Sequence, residues 1–252
     1  MFTSCSSTDD SGEGGTMNYM PLEIGNYWKY NVSNDGTATG QDSLYVANDT
    51  LVGTITYKKM KTLNQPIGFF SNSLNNNGLR KDGSMLKVNG NASIAGIPIP
   101  IEIPLNDFVI FKETASNNQE LSSTSGTLEQ TVSTYPLKID YTMKSISVET
   151  LASFTTPAPD NKTYTDVKKV KTIMNIKVTT VLSGIFTVTL IAPQDVVISE
   201  QYYSKNLGMV YANTVTSYHF EDLSALPVPV TLPFPESGTQ TQEEFLDTYQ
   251  VD

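Results

Sequence analysis

Apolar residues recur at every second position over long stretches of this chain. Ile139, Tyr141 and Met143 alternate with Asp140, Thr142 and Lys144. Met174, Ile176 and Val178 alternate with Asn175, Lys177 and Thr179, and Phe186, Val188 and Leu190 with Thr187 and Thr189. A strand sends successive side chains to opposite faces, so this spacing specifies half-buried antiparallel strands, one face in and one face wet. No stretch sustains helical spacing, and β-branched and aromatic residues are abundant. The expected class is all-β with minor α. At 252 residues the chain can bury a sizeable core without staples. Its one cysteine excludes an intrachain disulfide framework and a cysteine-based zinc site.

The alternation does not reach the N-terminus. Residues 4 to 16 are almost wholly Ser, Thr, Asp, Glu and Gly, which cannot build a core. Met1-Phe2-Thr3-Ser4-Cys5 looks like the end of a bacterial lipobox, with an apolar residue and two small ones before a cysteine. That reading makes Cys5 a lipid attachment site and residues 1–17 a flexible tether. A single β-rich domain is expected over 18–236, with a C-terminal tail over 237–252.

Within the domain, residues 27–34 read as a strand. Leu44 and Val46, then Ile55 and Tyr57, alternate around Asn48-Asp49-Thr50 and Gly53, which predicts a hairpin over 42–63. Residues 64–78 read as a loop around Phe69-Phe70, and Lys81-Asp82-Gly83-Ser84 as a hairpin turn. Residues 114–126 read as a polar loop. Ile146 and Val148 continue the Ile139–Met143 run in the opposite phase, which predicts a bulge near Lys144-Ser145. The one helix signal is the capping box Thr241-Gln242-Glu243-Glu244 ahead of Phe245, Leu246 and Tyr249. Pro98, Pro100 and Pro104 fall in one row, as do Pro227, Pro229 and Pro233. Proline lacks an N–H, so each segment can join a sheet on one side only, with its proline edge outward.

Two boxes bracket most of the chain. Pro21-Leu22-x-x-Gly25-Asn26-x-Trp28-x-Tyr30 and Tyr202-Tyr203-Ser204-Lys205-Asn206-Leu207-Gly208-Met209-Val210 resemble boxes found early and late in bacterial, Bacteroidota-type surface and periplasmic lipoproteins. The resemblance implies a strongly curved antiparallel sheet or half-barrel, similar to the LolA/LolB-like lipoprotein-carrier fold; the capping box at Thr241–Glu244 adds at most a short helix near the C-terminus. It implies an extracytoplasmic, outer-membrane location, surface-exposed or periplasmic, and in some members a cavity for acyl chains. It carries no catalytic motif. Trp28, Tyr30, Tyr202 and Tyr203 are read as core aromatics, with a ligand platform as the rival reading. Asp42-Ser43-Leu44 and Asp49-Thr50-Leu51 look like Bacteroidota O-glycosylation acceptors, at Ser43 and Thr50 in or beside the predicted hairpin turn.

Chemistry is sparse. Sixteen Lys and Arg against 26 Asp and Glu give a formal net charge of -10, which argues against nucleic acid and against an electrostatic grip on anionic lipid. No apolar run reaches the roughly 18 residues of a membrane span. His219 is the only histidine, so no His-based metal site can form, and no nucleophile-elbow sequence accompanies it. No phosphate loop or calcium loop appears, and no cofactor is called for. The expected function is binding rather than catalysis, through a membrane anchor at Cys5. The partner classes left open are a hydrophobic small molecule, a glycan and a protein. The rivals are an acyl-chain or lipoprotein carrier, a structural or adhesive subunit of a surface assembly, and a carboxylate-based glycoside hydrolase.

Overall fold

The computed structural model describes residues 19–94, 96–132, 135–182, 186–224 and 235–252. Cys5 and the expected tether over 1–17 lie outside the described residues, as does most of the second proline segment. The elements in chain order are β1 (Tyr27–Asn34), β2 (Thr37–Val52), β3 (Ile55–Thr62), α1 (Phe69–Leu74), β4 (Gly78–Asp82), β5 (Met85–Ile94), β6 (Ile101–Lys112), β7 (Gln119–Val132), β8 (Tyr135–Thr155), β9 (Thr163–Leu182), β10 (Phe186–Ser204), β11 (Gly208–His219) and β12 (Ser237–Gln250).

The strands form one 12-stranded antiparallel sheet in the order β6-β5-β4-β3-β2-β1-β12-β11-β10-β9-β8-β7. Every hydrogen-bonded neighbour is also a chain neighbour, except that β12 pairs with β1. The sheet curls until its free edges, β6 and β7, approach one another, making a nearly closed barrel. Gln130 Nε2 reaches across the seam to the Pro100 carbonyl at 2.9 Å, and Ser145 Oγ on β8 donates to the Val109 carbonyl on β6. The all-β, strongly curved sheet with minor helix is therefore the architecture of the chain.

The proline row explains one side of the seam. Ile99, Ile101, Ile103 and Leu105 are buried, while Pro100, Glu102 and Pro104 are exposed. Pro104 pairs with Asn91, whose N–H turns the other way, to Asn77 Oδ1. In such a pair both backbone nitrogens point outward, so Pro104 presents its missing donor to the seam. The segment is an edge strand only from Ile101 onward; Pro98 and Pro100 lie in the bend before it.

Four local expectations are corrected. Residues 237–252 are not a helical tail: Thr241–Glu244 lies in β12, between β1 and β11. A strand there buries Phe245 and Leu246 on opposite faces, which a helix lying on one face cannot do. The one helix among the described residues is α1, inside the stretch expected as loop. The polar stretch after residue 118 is strand β7; none of its residues is buried, so it shows no apolar alternation to read. β8 itself carries no bulge at Lys144-Ser145; the irregularity opposite Ser145 and Ile146 lies in β7, where Leu121 falls between the pairs Glu120–Ile146 and Ser122–Ser145. Ser145 and Ser147 stay in the buried phase, Ile146 and Val148 turn outward, and the register shift against β9 falls between Ser147 and Glu149. The predicted turns at Gly53 and Gly83 are present.

The interior is filled by large side chains. An aromatic chain runs through it from Tyr19 to Phe111, Tyr203, Phe70 and Tyr30, with ring centroids 5.0, 5.0, 6.1 and 5.9 Å apart in turn. The two sequence boxes meet here. Trp28 Nε1 donates to the Leu207 carbonyl at 2.5 Å, and the Tyr30 hydroxyl to the Met209 carbonyl at 3.1 Å. Gly208 lies between those carbonyls with φ +111, and a Cβ there would sit 2.9 Å from the Trp28 indole nitrogen. Gly208→Ala adds backbone strain to a collision with an indole held by its own hydrogen bond. It is expected to destabilise the fold by about 1–3 kcal/mol. Urea denaturation checks this, and an unchanged midpoint would contradict the role assigned to the turn.

Candidate binding site

The most unusual polar chemistry lies where α1 enters the sheet. The helix has six residues, too few to be stable alone, and Gly68 before it offers no side-chain cap. Its free amides are met by side chains from the sheet instead. Asp42 on β2 accepts from Ile67 N at 2.9 Å and Gly68 N at 2.7 Å. Gln242 Oε1 on β12 accepts from Phe69 N at 2.6 Å. Glu244, two residues on and on the same face, accepts from Phe70 N at 2.7 Å, Ser71 N at 3.3 Å and Ser71 Oγ at 3.1 Å. Gly68 is required by closeness: any Cβ would collide with the Glu244 carboxylate.

These acids sit in the buried phase of their strands. Asp42 is 3% and Glu244 1% exposed. Burial pushes the Glu244 carboxyl up to about 7; the Phe70 amide opposes this, the neighbouring Asp42 charge adds to it, and Ser71 opposes it again. Burial and the Glu244 charge together also raise the Tyr30 and Tyr203 hydroxyls.

Above the clamp, at the rim, lies a cavity of about 110 Å³. The α1 side contributes Gln65, Phe69 and Asn72, and the sheet contributes Thr214, Thr216, Gln240 and Gln242. Among the described residues no charged side chain lines it. Some of its polar groups are committed: Gln242 Nε2 donates to Asn34 and Ile67, Asn72 to the Ser93 carbonyl, and Thr214 shares a hydrogen bond with Ser199. The side chains of Gln65, Thr216 and Gln240 make no hydrogen bond among the described residues. Thr216 as a residue is only 7% exposed, and its unpartnered hydroxyl keeps access to solvent. Gly96, in the bend before β6, stands over Thr216 and Gln240; a Cβ there would come within 3.1 Å of Thr216 Cγ2.

The residues singled out in the sequence fall elsewhere. Trp28, Tyr30 and Tyr203 are core, each at most 1% exposed. Tyr202 points to the opposite face, stacked on Phe154 at 4.0 Å, with Lys169 5.3 Å from its ring. The four aromatics therefore do not come together as one platform. Ser43 lies within β2 opposite Lys29, away from the hairpin turn expected for it, and Thr50 lies near that turn, opposite Tyr57. His219 ends β11 with its backbone held by Gln194. Sequence reading missed Asp42, Gln242 and Glu244. The available signal was phase: Asp42 shares the phase of Leu44 and Val46, and Glu244 that of Leu246, and an acid in a buried phase must find partners.

A wider groove of about 650 Å³ crosses the outer face of β7–β10, but it is open and carries Glu129, Lys138, Asp140 and Lys177, with Lys138 and Asp140 paired at 3.4 Å. Among the described residues no cluster of three or more His, Cys, Asp or Glu could hold a metal ion. Compared with protein-family models, with curated proteins and with solved structures, the chain matches none.

Glu244 makes stability depend on pH. Its folded pKa of about 7 lies above the ordinary 4.5, so the folded chain holds the proton more tightly. The stability it contributes is full below about 4.5 and is lost as pH rises to about 7. At 1.36 kcal/mol per unit, the loss is on the order of 3 kcal/mol. Glu244→Gln should flatten this slope in urea titrations at several pH values. An unaltered slope would show that Glu244 does not titrate in this window.

Proposed function

We propose that the chain is a lipid-anchored, extracytoplasmic binding protein whose ligand site is the rim cavity. The observation that carries this is an unpartnered Thr216 hydroxyl, on a residue only 7% exposed, with the unpartnered side chains of Gln65 and Gln240 lining the same cavity among the described residues. Polar groups converging on a preformed concavity are the ordinary make-up of a ligand site. The anchor is supported by the lipobox-like Phe2-Thr3-Ser4-Cys5 and the polar stretch after it.

The rival readings have less support. An acyl-chain carrier needs apolar space inside the sheet, where Trp28, Tyr30, Phe70, Phe111 and Tyr203 are packed. A carboxylate hydrolase needs two acids facing a cleft, and the two acids beside the cavity, Asp42 and Glu244, already accept from backbone amides.

Two experiments test the reading. Backbone-amide NMR titration with a polar fragment library should shift signals at 65–72, 214–216 and 240–242. Hits that cluster elsewhere would remove the site. Expressed behind a bacterial lipoprotein signal segment, the protein should incorporate labelled palmitate, and Cys5→Ser should abolish it. Equal labelling of the variant would remove the anchor. The physical expectation is that one acyl chain anchors only marginally and that a multiply acylated cysteine holds the domain at the membrane.

A further inference from the structure

We propose that the rim cavity takes the terminal ring of a neutral saccharide. This rests on the reading of that cavity as a ligand site and adds the chemical class of the ligand. Three observations narrow the class.

The first is charge. The described lining is uncharged, yet the carboxylates of Asp42 and Glu244 lie just beneath it, behind the Ile67–Ser71 backbone. An anionic ligand would be brought toward these two acids in a chain of net charge -10, so phosphates, nucleotides and acidic sugars are disfavoured. The α1 amides that would otherwise attract an anion already donate to Asp42, Gln242 and Glu244.

The second is the hydrogen-bonding character of the wall. Gln65, Thr216 and Gln240 supply amides and a hydroxyl, groups that donate and accept. Their complement is a ligand whose groups also do both, which describes the hydroxyls of a sugar. A wholly apolar ligand would leave the Thr216 hydroxyl buried and unpaired, a penalty that selects against it.

The third is shape. Phe69, half-buried and packed against the core, is the aromatic residue among the described lining residues. A pyranose has the same division, C–H groups on a face and hydroxyls around the rim. At about 110 Å³ the cavity is smaller than the roughly 150 Å³ that encloses a benzene ring, so one ring enters in part and the rest of a chain stays in solvent. The ligand is then the end of a glycan rather than its middle.

The test uses the full chain and a panel of free sugars: glucose, galactose, mannose, xylose and N-acetylglucosamine, each also as a disaccharide, with sialic acid as the anionic control. Affinity and amide shifts are read by NMR titration. The expected result is binding of at least one neutral member, with shifts at 65–72, 214–216 and 240–242 and no binding of sialic acid. Thr216→Val and Gln240→Ala should each weaken it by about tenfold, the effect of losing one hydrogen bond, with unfolding midpoints unchanged. Thr216→Val preserves shape and strand preference, so a folding defect and a binding defect stay separable. If polar fragments bind at the rim but no neutral sugar does, the saccharide class is overturned while the site stands. Sugar binding with shifts elsewhere, or with affinity untouched by both variants, overturns the placement.

Discussion

The pairing of β12 with β1 is the contact on which the rest of this structure depends. Every other strand pair joins chain neighbours, so most of the sheet can assemble as hairpins. Only this pair brings residues 27–34 beside 242–250, across more than two hundred residues of chain. Closing a loop of that length carries a large entropic cost, which local pairing cannot offset. Once it forms, two things follow from geometry. Trp28 and Tyr30 come within reach of the carbonyls of Leu207 and Met209, and Glu244 comes beneath α1. The early and late boxes therefore meet as structure: their aromatic side chains and the Gly208 turn form one packed unit.

The buried backbone of the segment before and within α1 poses the second constraint. Five successive amides, from Ile67 to Ser71, lie against the interior, and each needs an acceptor. The sheet supplies three side chains for the five. A six-residue helix without a local cap persists here because Asp42, Gln242 and Glu244 were placed under it by two different strands. The arrangement holds one acid near its ionisation midpoint at neutral pH. It also separates charge from the rim: the acids are occupied below, and the wall above is neutral amide and hydroxyl. That separation leaves the described lining of the cavity without charge.

The sheet's two faces are used differently. The interior is an aromatic chain from Tyr19 to Tyr30, while the outer face carries Phe154, Tyr202, Tyr211 and Phe245 in series, with centroids 4.0, 5.5 and 5.1 Å apart. Tyr202 and Tyr203 are adjacent in sequence and belong to different clusters, as strand geometry requires. The seam between β6 and β7 is guarded asymmetrically. Pro104 removes a donor on one side, and β7 on the other is polar and free of buried residues, so the edges meet through side chains rather than a ladder.

The sequence by itself determined the class of the fold and much of its local plan. Period-two alternation names strands wherever one face is apolar, as at Ile139–Met143 and Met174–Val178, and glycine turns at 53 and 83 mark hairpins through conformations other residues avoid. It determined the edge role of Ile101–Leu105 as well, because a missing N–H is a local fact. What it could not determine is non-local. Whether Thr241–Glu244 caps a helix or joins a sheet depends on β1 and β11 lying on either side, and the same residues satisfy either pattern. Whether α1 exists depends on an acceptor 25 residues before Ile67, at its entry, and on others more than 170 after it. Asp42 and Glu244 were visible as acids in a buried phase, but not as partners of one short helix. The rim cavity is further removed still: its two walls come from chain segments that meet only when β12 closes on β1. Burial of a polar group is decided by every neighbour at once, and only the tertiary structure assembles those neighbours.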